Sequence, residues 1–300
     1  MKTIKIKGTT NEKYIFESDA KWLQFRKEHI GASDAPIIMG VAKWKTNDGR
    51  IKTPKLLWEE KLGLDSMLTD NNATRYGKKM EEPARKAYEK MINDLVQPVV
   101  IKDTKMPYLM ASLDGLNIIG DRAVEIKNAN QEDHELAKKG QVPEKYYPQV
   151  QMQYLVTGVD KIDYFSFHKE EGIIVEVKRD DEYISEMKSK LDEFWKCVTS
   201  LKTPPLTEDD FIPRDKEWEA KAAALFKVQE DKKRIAKEEE KLKKELKSLS
   251  MGENSFFGDY RYGYAIQRGL VDYSAVPELS EVNLDLYRKD PVARWTLKHI

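Results

Sequence analysis

Two carboxylates and a lysine near the middle of the chain have residue types and a spacing that could support catalysis. Asp114 lies in a Ser-Leu-Asp-Gly segment, and Glu125 and Lys127 lie farther along in Val-Glu-Ile-Lys. Val124 and Ile126 alternate with them, which predicts a strand with the apolar pair on one face and Glu125 and Lys127 on the other. Two carboxylates beside a lysine suit a hard divalent ion, because such ions prefer oxygen ligands.

The surrounding pattern predicts how these residues come together. Residues 120–122, Gly-Asp-Arg, are typical of a turn. Residues 116–119 and 123–127 are therefore expected to form a β-hairpin, and residues 108–112 an earlier strand.

This hairpin would bring Asp114 close to Glu125 and Lys127. A metal ion at such a site stabilises charge on a phosphate, and the lysine could orient or deprotonate a water. The alternative is an exposed hairpin with a Glu–Lys surface pair, because an acid-x-Lys triplet on its own is a weak signal.

The composition is that of a soluble protein without a global charge excess. The chain has 300 residues, of which 52 are basic and 52 acidic. A net charge of zero argues against a blanket affinity for nucleic acid but allows a local basic groove. The sequence contains no apolar run of ~18 residues and no signal-peptide pattern. We therefore expect a cytoplasmic protein, in the host cell if the chain is phage-encoded.

Cysteine and histidine give no support for other metal centres. Cys197 is the single cysteine, which excludes an internal disulfide framework and a four-cysteine iron–sulfur cluster. The four histidines have no ligand spacing, which argues against zinc.

A second group of residues has the chemistry of an anion site. A helix predicted over residues 20–28 carries Arg26, and Ser33-Asp34 predicts the start of a second helix. Backbone N–H groups at a helix start favour an anion, and an arginine can make bidentate contacts to a phosphate. The alternative is that Ser33 is a plain helix cap and Arg26 a surface residue.

Helical patterns flank the hairpin on both sides. Glu81 in one of them is either a solvated charge or a third carboxylate for a second metal position. Gln149 and Gln153 share a face of a later helix and are either ordinary surface or contacts for a phosphate or an attacking water. The predicted helices cover residues 55–64, 75–91, 143–158 and 183–198, with strands over 161–169 and 172–178 and a polar segment over 128–140 that covers or rims the site.

These segments, in this order, resemble the YqaJ-type viral recombinase family, whose best-known relative is lambda-type phage exonuclease, within the PD-(D/E)XK nuclease superfamily. The resemblance covers roughly residues 22–195, about the length of one domain. It implies an α+β (α/β) fold in which helices flank a central mixed β-sheet. The segments that carry it are Arg26, Gly31-Ala32-Ser33-Asp34, Gly77 with Glu81, Ser112-Leu113-Asp114-Gly115, Glu125-Ile126-Lys127 and Tyr146-Tyr147-Pro148-Gln149-Val150-Gln151.

The resemblance implies metal-binding and catalytic roles for single residues. Asp114 and Glu125 correspond to the ligands of a first magnesium ion, together with the Ile126 backbone carbonyl. Lys127 corresponds to the lysine that positions or activates the water. Glu81 corresponds to the carboxylate beside a second ion.

Two of these assignments have alternatives. Glu82 is a less favoured substitute for Glu81. Gln149 corresponds to the glutamine of the Tyr-x-x-Gln-x-Gln segment of the family, and Gln151 is the alternative.

Arg26 and Ser33 correspond to the arginine and serine that hold the 5′-phosphate of DNA in this family. The implied activity is a Mg²⁺-dependent 5′-to-3′ exonuclease that hydrolyses one strand of linear duplex DNA and leaves 3′ single-stranded tails for recombination by strand annealing. The resemblance also implies two Mg²⁺ ions with Mn²⁺ as a substitute, a single-strand annealing partner, and a homotrimer.

The sequence departs from the family pattern after residue 200. We predict an exonuclease domain over residues 1–200, a charged helical arm or linker over 201–250, and a small aromatic-rich module over 251–300. The arm has a half-populated heptad seam, which is typical of a solvated arm or an antiparallel helix pair. The apolar residues of the seam are Val228, Ile235, Leu242 and Leu249.

The C-terminal module is expected to contain a β-hairpin and a short terminal helix. Its tyrosines are interleaved with Arg261 and Arg268. They either stack on unpaired bases or form a small core, and the sequence leaves both interpretations open.

Two rival functions remain at this point. A non-catalytic DNA-binding or scaffold protein would not need Asp114, Glu125 and Lys127 together. Another PD-(D/E)XK enzyme, such as an endonuclease, would not need a pocket for a 5′-phosphate, so Arg26 and Ser33 favour the exonuclease.

Overall fold

The computed structural model describes the backbone of residues 2–5, 12–15, 19–46, 48–64, 72–263, 276–279 and 282, without the side chains of 2–5, 12, 13, 15, 19 and 72–79. Its strands are β1 Lys2–Lys5, β2 Glu12–Ile15, β3 Ile30–Gly31, β4 Val96–Lys102, β5 Leu109–Asn117, β6 Arg122–Asn128, β7 Lys161–His168, β8 Glu171–Val177, β9 Ser255–Phe257 and β10 Tyr260–Tyr262. Its α-helices are α1 Asp19–Lys27, α2 Ala35–Ile38, α3 Pro54–Lys61, α4 Asn72–Ile92, α5 Gln131–Lys138, α6 Tyr147–Thr157, α7 Asp181–Thr199 and α8 Lys216–Leu249.

One mixed sheet organises the described part of the N-terminal two thirds of the chain. Its strands follow the order β1-β2-β4-β5-β6-β7-β8, and β3 also pairs with β5. The β6–β7 and β3–β5 pairs are parallel, whereas the pairs of β4, β5 and β8 with their other neighbours are antiparallel. The predicted central mixed sheet flanked by helices is confirmed.

Helices cover both faces of this sheet, which explains why its central strands are apolar on both sides. Val124, Ile126 and Phe165 pack against Ala84 and Tyr88 of α4 on one face. The opposite face packs on α6, which in turn packs on α7. The alternation predicted for β6 is therefore correct, and Glu125 and Lys127 lie on the α6 face.

The predicted hairpin is right in its turn and wrong in its first strand. Residues 109–117 form one continuous strand rather than two strands over 108–112 and 116–119, and Asp114 lies within it. The reason is non-local, since β4 pairs along β5 on both sides of Asp114 and keeps it extended. The turn begins at Asn117, whose side-chain oxygen accepts hydrogen bonds from the backbone N–H groups of Gly120 and Asp121.

The strand β4 and the helix α5 are among the elements that had no sequence prediction. The helix α5 occupies most of the segment expected to be a polar rim over residues 128–140. Asn130 caps this helix by accepting a hydrogen bond from the Asp133 backbone N–H at 2.8 Å, so its polar composition still allows a helix.

The chain divides into two compact units, Met1–Phe211 and Ile212–Ile300. The first contains the whole mixed sheet. The segment after α7 still belongs to it, because Asp209 pairs with Lys43 and Asp210 accepts a hydrogen bond from Thr53. The three-part division made from the sequence stays a prediction.

The described part of the second unit contains α8 and the β9–β10 hairpin. The helix α8 lies within the charged arm expected over residues 201–250, and its seam residues Val228, Ile235 and Leu242 are each more than half exposed. The hairpin was also predicted, and the Arg261 guanidinium lies 4.8 Å from the Phe256 ring centroid. Arg268 and the expected terminal helix lie outside the described residues.

Among the described helices, none has the length and apolar composition needed to span a membrane.

Candidate active site

Strands β5 and β6 separate where the predicted site residues lie. Their last ladder pair joins Gly115 to Val124, and the next contact runs from the Ile126 backbone N–H to Asp114 Oδ2, at 2.7 Å. At Gly115 the strand β5 lies close to β4, because a Cβ on this residue would be 2.8 Å from Val96 Cβ. The N–H and C=O of one strand residue point to the same side of the strand. The Ile126 carbonyl therefore faces β5, the strand that carries Asp114.

Glu125 is held by donors on both of its oxygens. Gln149 Nε2 donates to Oε1 at 2.6 Å, and Gln153 Nε2 donates to Oε2. Lys127 Nζ lies 2.6 Å from Oε1. The two glutamines are one turn apart on α6 and therefore share the face that meets the sheet. Together these contacts fix the orientation of a carboxylate that is only 2% exposed.

The electrostatics of the site reflect an excess of negative charge. Burial and the neighbouring carboxylate of Glu125 raise the pKa of Asp114 well above its usual value, although Lys127 and the Ile126 N–H oppose the shift. Burial alone would lower the pKa of Lys127, but the Glu125 and Asp114 carboxylates raise it above its usual value. Lys127 is therefore held as an ammonium ion, which suits the orientation of a water or an anion.

Glu81 lies on α4 and is part of the same site. Its negative charge also raises the pKa of Asp114, although burial and the charge of Glu125 raise it more. Its side chain is 40% exposed and lies 3.5 Å from Arg85. The substitute considered from the sequence, Glu82, is instead an exposed residue that pairs with Lys86 at 2.7 Å.

The predicted anion group forms a compact cluster. Arg26 Nη2 donates to Ser33 Oγ at 3.2 Å and lies 3.5 Å from Asp34 Oδ1. Asp34 Oδ2 accepts a hydrogen bond from the Gly31 N–H and pairs with Lys61 Nζ at 2.6 Å.

The second helix predicted to begin at Ser33-Asp34 is much shorter than a helix that could bind an anion by its dipole. A 3₁₀ turn over Ala32–Asp34 leads into α2, which has four residues. The effect of a helix dipole depends on many aligned peptide units. The candidate anion-binding groups of this region are therefore the side chains of Arg26 and Ser33.

One cleft of about 740 Å³ brings the predicted residues together. Its walls come from α1, the turn before α2, α4, β5, β6 and the start of α6. Three aromatic side chains, Trp22, Trp44 and Tyr146, also line it. The predicted site residues along it are Arg26, Ser33, Glu81, Asp114, Glu125, Ile126, Lys127 and Gln149.

The donor set fits a magnesium ion. Within the described residues, no three His, Cys, Asp or Glu side chains gather into a metal-binding cluster. Mg²⁺, however, is commonly held by one or two carboxylates and keeps several waters. Asp114 and Glu125 supply two carboxylates, and because burial and the Glu125 charge raise the pKa of Asp114, a bound cation would favour its charged form. These two residues and the Ile126 carbonyl are the groups that would hold the ion.

The structure separates the alternative glutamines. Gln151 points away from Glu125: it donates to the Lys178 carbonyl at 2.8 Å and accepts from the Asp180 N–H at 3.0 Å. Gln153, which the sequence placed on the same face as Gln149, contacts Glu125 directly.

Two further residues were not identified from the sequence. Lys61 reaches the Arg26 cluster from α3, and Asp34 holds that cluster together. The signal for Lys61 is a lysine on the buried side of an amphipathic helix, which is rare unless the lysine is paired.

Comparisons with known proteins agree with this description. Residues 21–160 match the YqaJ-like viral recombinase domain. The uncharacterized protein YqaJ of Bacillus subtilis is 29% identical over 182 residues, which are 58% of this chain and 54% of that protein. The match thus spans about half the length of this curated relative.

Two solved structures have the same fold. LHK-Exo in complex with dAMP superposes with a TM-score of 0.51 at 25% identity, over 61% of this chain and 94% of that one. The alkaline exonuclease LHK-Exo of Laribacter hongkongensis superposes with a TM-score of 0.51 at 23% identity, over 69% of this chain and 99% of that one.

Both structures are of LHK-Exo, an alkaline exonuclease, which agrees with the nuclease fold that the sequence predicted. The comparison thus confirms the predicted resemblance to the YqaJ-type viral recombinase family, over residues 21–160 of this chain.

Proposed function

We propose that this protein is a Mg²⁺-dependent 5′-to-3′ exonuclease that hydrolyses one strand of linear duplex DNA and leaves 3′ single-stranded tails. The family match and the fold of the two exonuclease structures support a DNA exonuclease role. The observation that carries the finer proposal is the single cleft, in which a carboxylate–lysine centre and an arginine–serine pair lie together.

The residues of the centre have separate roles in the proposed reaction. When bound, Mg²⁺ supplies positive charge for the phosphate and acidifies a water. Glu125 is kept in one orientation by Gln149 and Gln153, and Asp114 by the Ile126 N–H. Lys127 Nζ, beside Glu125, orients the attacking water toward the scissile phosphate. Glu81 adds a further carboxylate at the mouth of the site for a second ion.

The direction of digestion follows from the phosphate group. A terminal phosphate monoester carries about −2 charge near neutral pH, by analogy with phosphorylated side chains, whereas a diester carries one negative charge. A guanidinium and a hydroxyl, as in Arg26 and Ser33, favour the more highly charged group through charge-assisted hydrogen bonds. Binding of the 5′-phosphate there places the first internucleotide bond at the Asp114–Glu125 centre.

The family resemblance extends the proposal to cofactors and partners. Two Mg²⁺ ions, with Mn²⁺ as a substitute, would occupy the centre formed by Asp114, Glu125 and Glu81. A single-strand annealing protein would take up the 3′ tail, and a homotrimer would keep the enzyme on its substrate.

Digestion of linear duplexes labelled at either the 5′ or the 3′ end, with Mg²⁺ or with EDTA, tests the proposal. We expect early release of the 5′ label, late release of the 3′ label, and no release in EDTA. A closed circular duplex is the control and should stay intact. Cleavage of the circle would identify an endonuclease, and DNA binding without any digestion would identify a non-catalytic protein.

A further inference from the structure

Lys61 is a buried lysine that cannot contact DNA yet belongs to the proposed phosphate pocket. Its side chain is fully buried on α3. Its ammonium group donates to the Arg26 backbone carbonyl at 2.9 Å and pairs with Asp34 Oδ2 at 2.6 Å. It thus holds both the backbone of the arginine and the carboxylate that contacts its guanidinium.

Asp34 would by itself weaken an anion site. Its buried carboxylate lies 3.5 Å from Arg26 Nη2, so it orients the guanidinium but also offsets its positive charge. A buried carboxylate beside the pocket would in addition repel an incoming phosphate. The Asp34 carboxylate therefore helps to orient Arg26 but lowers the affinity of the pocket for an anion.

The ammonium group of Lys61 resolves this conflict. With two cations and one carboxylate, the Arg26–Asp34–Lys61 cluster keeps one net positive charge. The next basic residue, Lys52, is paired with Glu60 at 2.6 Å and adds none. Arg26 Nε is buried and has no hydrogen-bond partner among the described residues, so one N–H donor of the guanidinium is not used within the cluster.

We propose that Lys61 is a specificity-determining positioning residue: by neutralising Asp34, it leaves the charge of Arg26 available for a terminal phosphate. This inference rests on the proposed function, because it assigns a role within the 5′-phosphate pocket. It also explains why a lysine lies where an apolar residue would pack more easily.

The test is the ratio of digestion rates for 5′-phosphorylated and 5′-hydroxyl duplexes. Lys61→Met should lower this ratio on the order of tenfold, comparable to the loss of a hydrogen bond to a charged group. The double variant Asp34→Asn/Lys61→Met removes both buried charges and leaves Arg26 charged. It should regain much of the ratio lost in Lys61→Met.

The ratio regained by the double variant distinguishes an effect of the Lys61 charge from an effect of its structural contacts. Both variants lose the Lys61 contact to the Arg26 carbonyl, so equal ratios in the two would overturn the proposal. Lys55→Met on the same helix is the matched control, because Lys55 pairs with Glu59 away from the cluster and should keep the wild-type ratio.

A binding measurement keeps the test informative if Lys61→Met folds poorly. In EDTA, the double variant should bind a short 5′-phosphorylated duplex more tightly than its 5′-hydroxyl counterpart. Equal binding of the two ends would contradict the charge argument. If the wild type showed no digestion at all, the proposed function would fail; if it preferred phosphorylated ends and Lys61→Met preferred them equally, only this inference would fail.

Discussion

Asp114 Oδ2 accepts a hydrogen bond from the backbone N–H of Ile126 at 2.7 Å, at the point where β5 and β6 stop pairing. The carboxylate thus satisfies an N–H group that would otherwise belong to the strand ladder. It also ties the first acidic residue of the site to the strand that carries the second, Glu125. The positions of Asp114 and Glu125 relative to each other are therefore set by the sheet.

Gln153 should prove important for catalysis although it lies behind Glu125. Gln153→Leu removes a charge-assisted donor from a buried carboxylate, so we expect kcat to fall roughly 10- to 100-fold and the Mg²⁺ concentration for half-maximal rate to rise. Gln151→Leu is the matched control: it loses contacts to Lys178 and Asp180, and its kcat per folded molecule should stay near the wild-type value. An unchanged Mg²⁺ requirement in Gln153→Leu would contradict this role.

The 5′ end should be recognised through Arg26. Removing the 5′-phosphate from linear duplexes should slow the wild type strongly, and Arg26→Ala should abolish most of that difference. The measurement is the initial rate on matched duplexes with and without the phosphate. Arg85→Ala, which removes an arginine that contacts Glu81 rather than Ser33, controls for a general loss of positive charge. A full preference for phosphorylated ends in Arg26→Ala would place the pocket elsewhere.

The position of the C-terminal boundary can be tested with two truncations. A chain ending at Phe211 keeps the contacts of Asp209 with Lys43 and of Asp210 with Thr53. It should remain folded and digest linear duplex DNA. A chain ending at Ser200 loses those contacts and should have a lower melting temperature. Equal melting temperatures would mean that residues 201–211 add nothing to the first unit, and aggregation of both would mean that residues 212–300 complete its core.

The buried Asp34–Lys61 pair should make stability depend on pH. Burial alone would raise the pKa of Asp34, but the charges of Lys61 and Arg26 lower it well below its usual value of 3.8. A carboxylate with a lowered folded-state pKa contributes stability that is complete well above the unfolded-state value and is lost as the pH falls through the folded-state value.

We therefore expect Asp34→Asn to lower the free energy of unfolding by about 3–5 kcal/mol at pH 7, because Lys61 is left buried without a counter-charge. The difference between wild type and variant should shrink below about pH 4. Urea unfolding at pH 7 and pH 3 measures it. A difference that grows on acidification would show that Asp34 is protonated in the folded protein.

Local patterns predicted that the residues of the candidate centre lie together, because its parts are close in sequence or share a helical face. The alternation around Glu125 and the spacing of Gln149 and Gln153 needed only the geometry of one strand and one helix. The resemblance to a known family supplied Arg26 and Ser33.

What remained hidden depends on contacts between distant segments. Lys61 meets Asp34 only after α3 packs against α2, which begins directly after Asp34, and nothing in the spacing of these two residues signals the pair. Asp114 was expected between two strands, over residues 108–112 and 116–119, whereas pairing with β4 keeps the segment extended. The choice between Gln149 and Gln151 likewise required the position of β6 relative to α6.

The nuclease centre is tested most directly by Glu125→Gln. This change keeps the size of the side chain and removes the charge that pairs with Lys127 and that would hold the metal ion. We expect loss of Mg²⁺-dependent digestion by several orders of magnitude, with duplex binding retained. The control is Glu176→Gln. Glu176 is an exposed residue of the edge strand β8 that pairs with Lys161, and this variant should digest DNA like the wild type. Wild-type digestion by pure Glu125→Gln protein would contradict the assignment of this cleft as the active site.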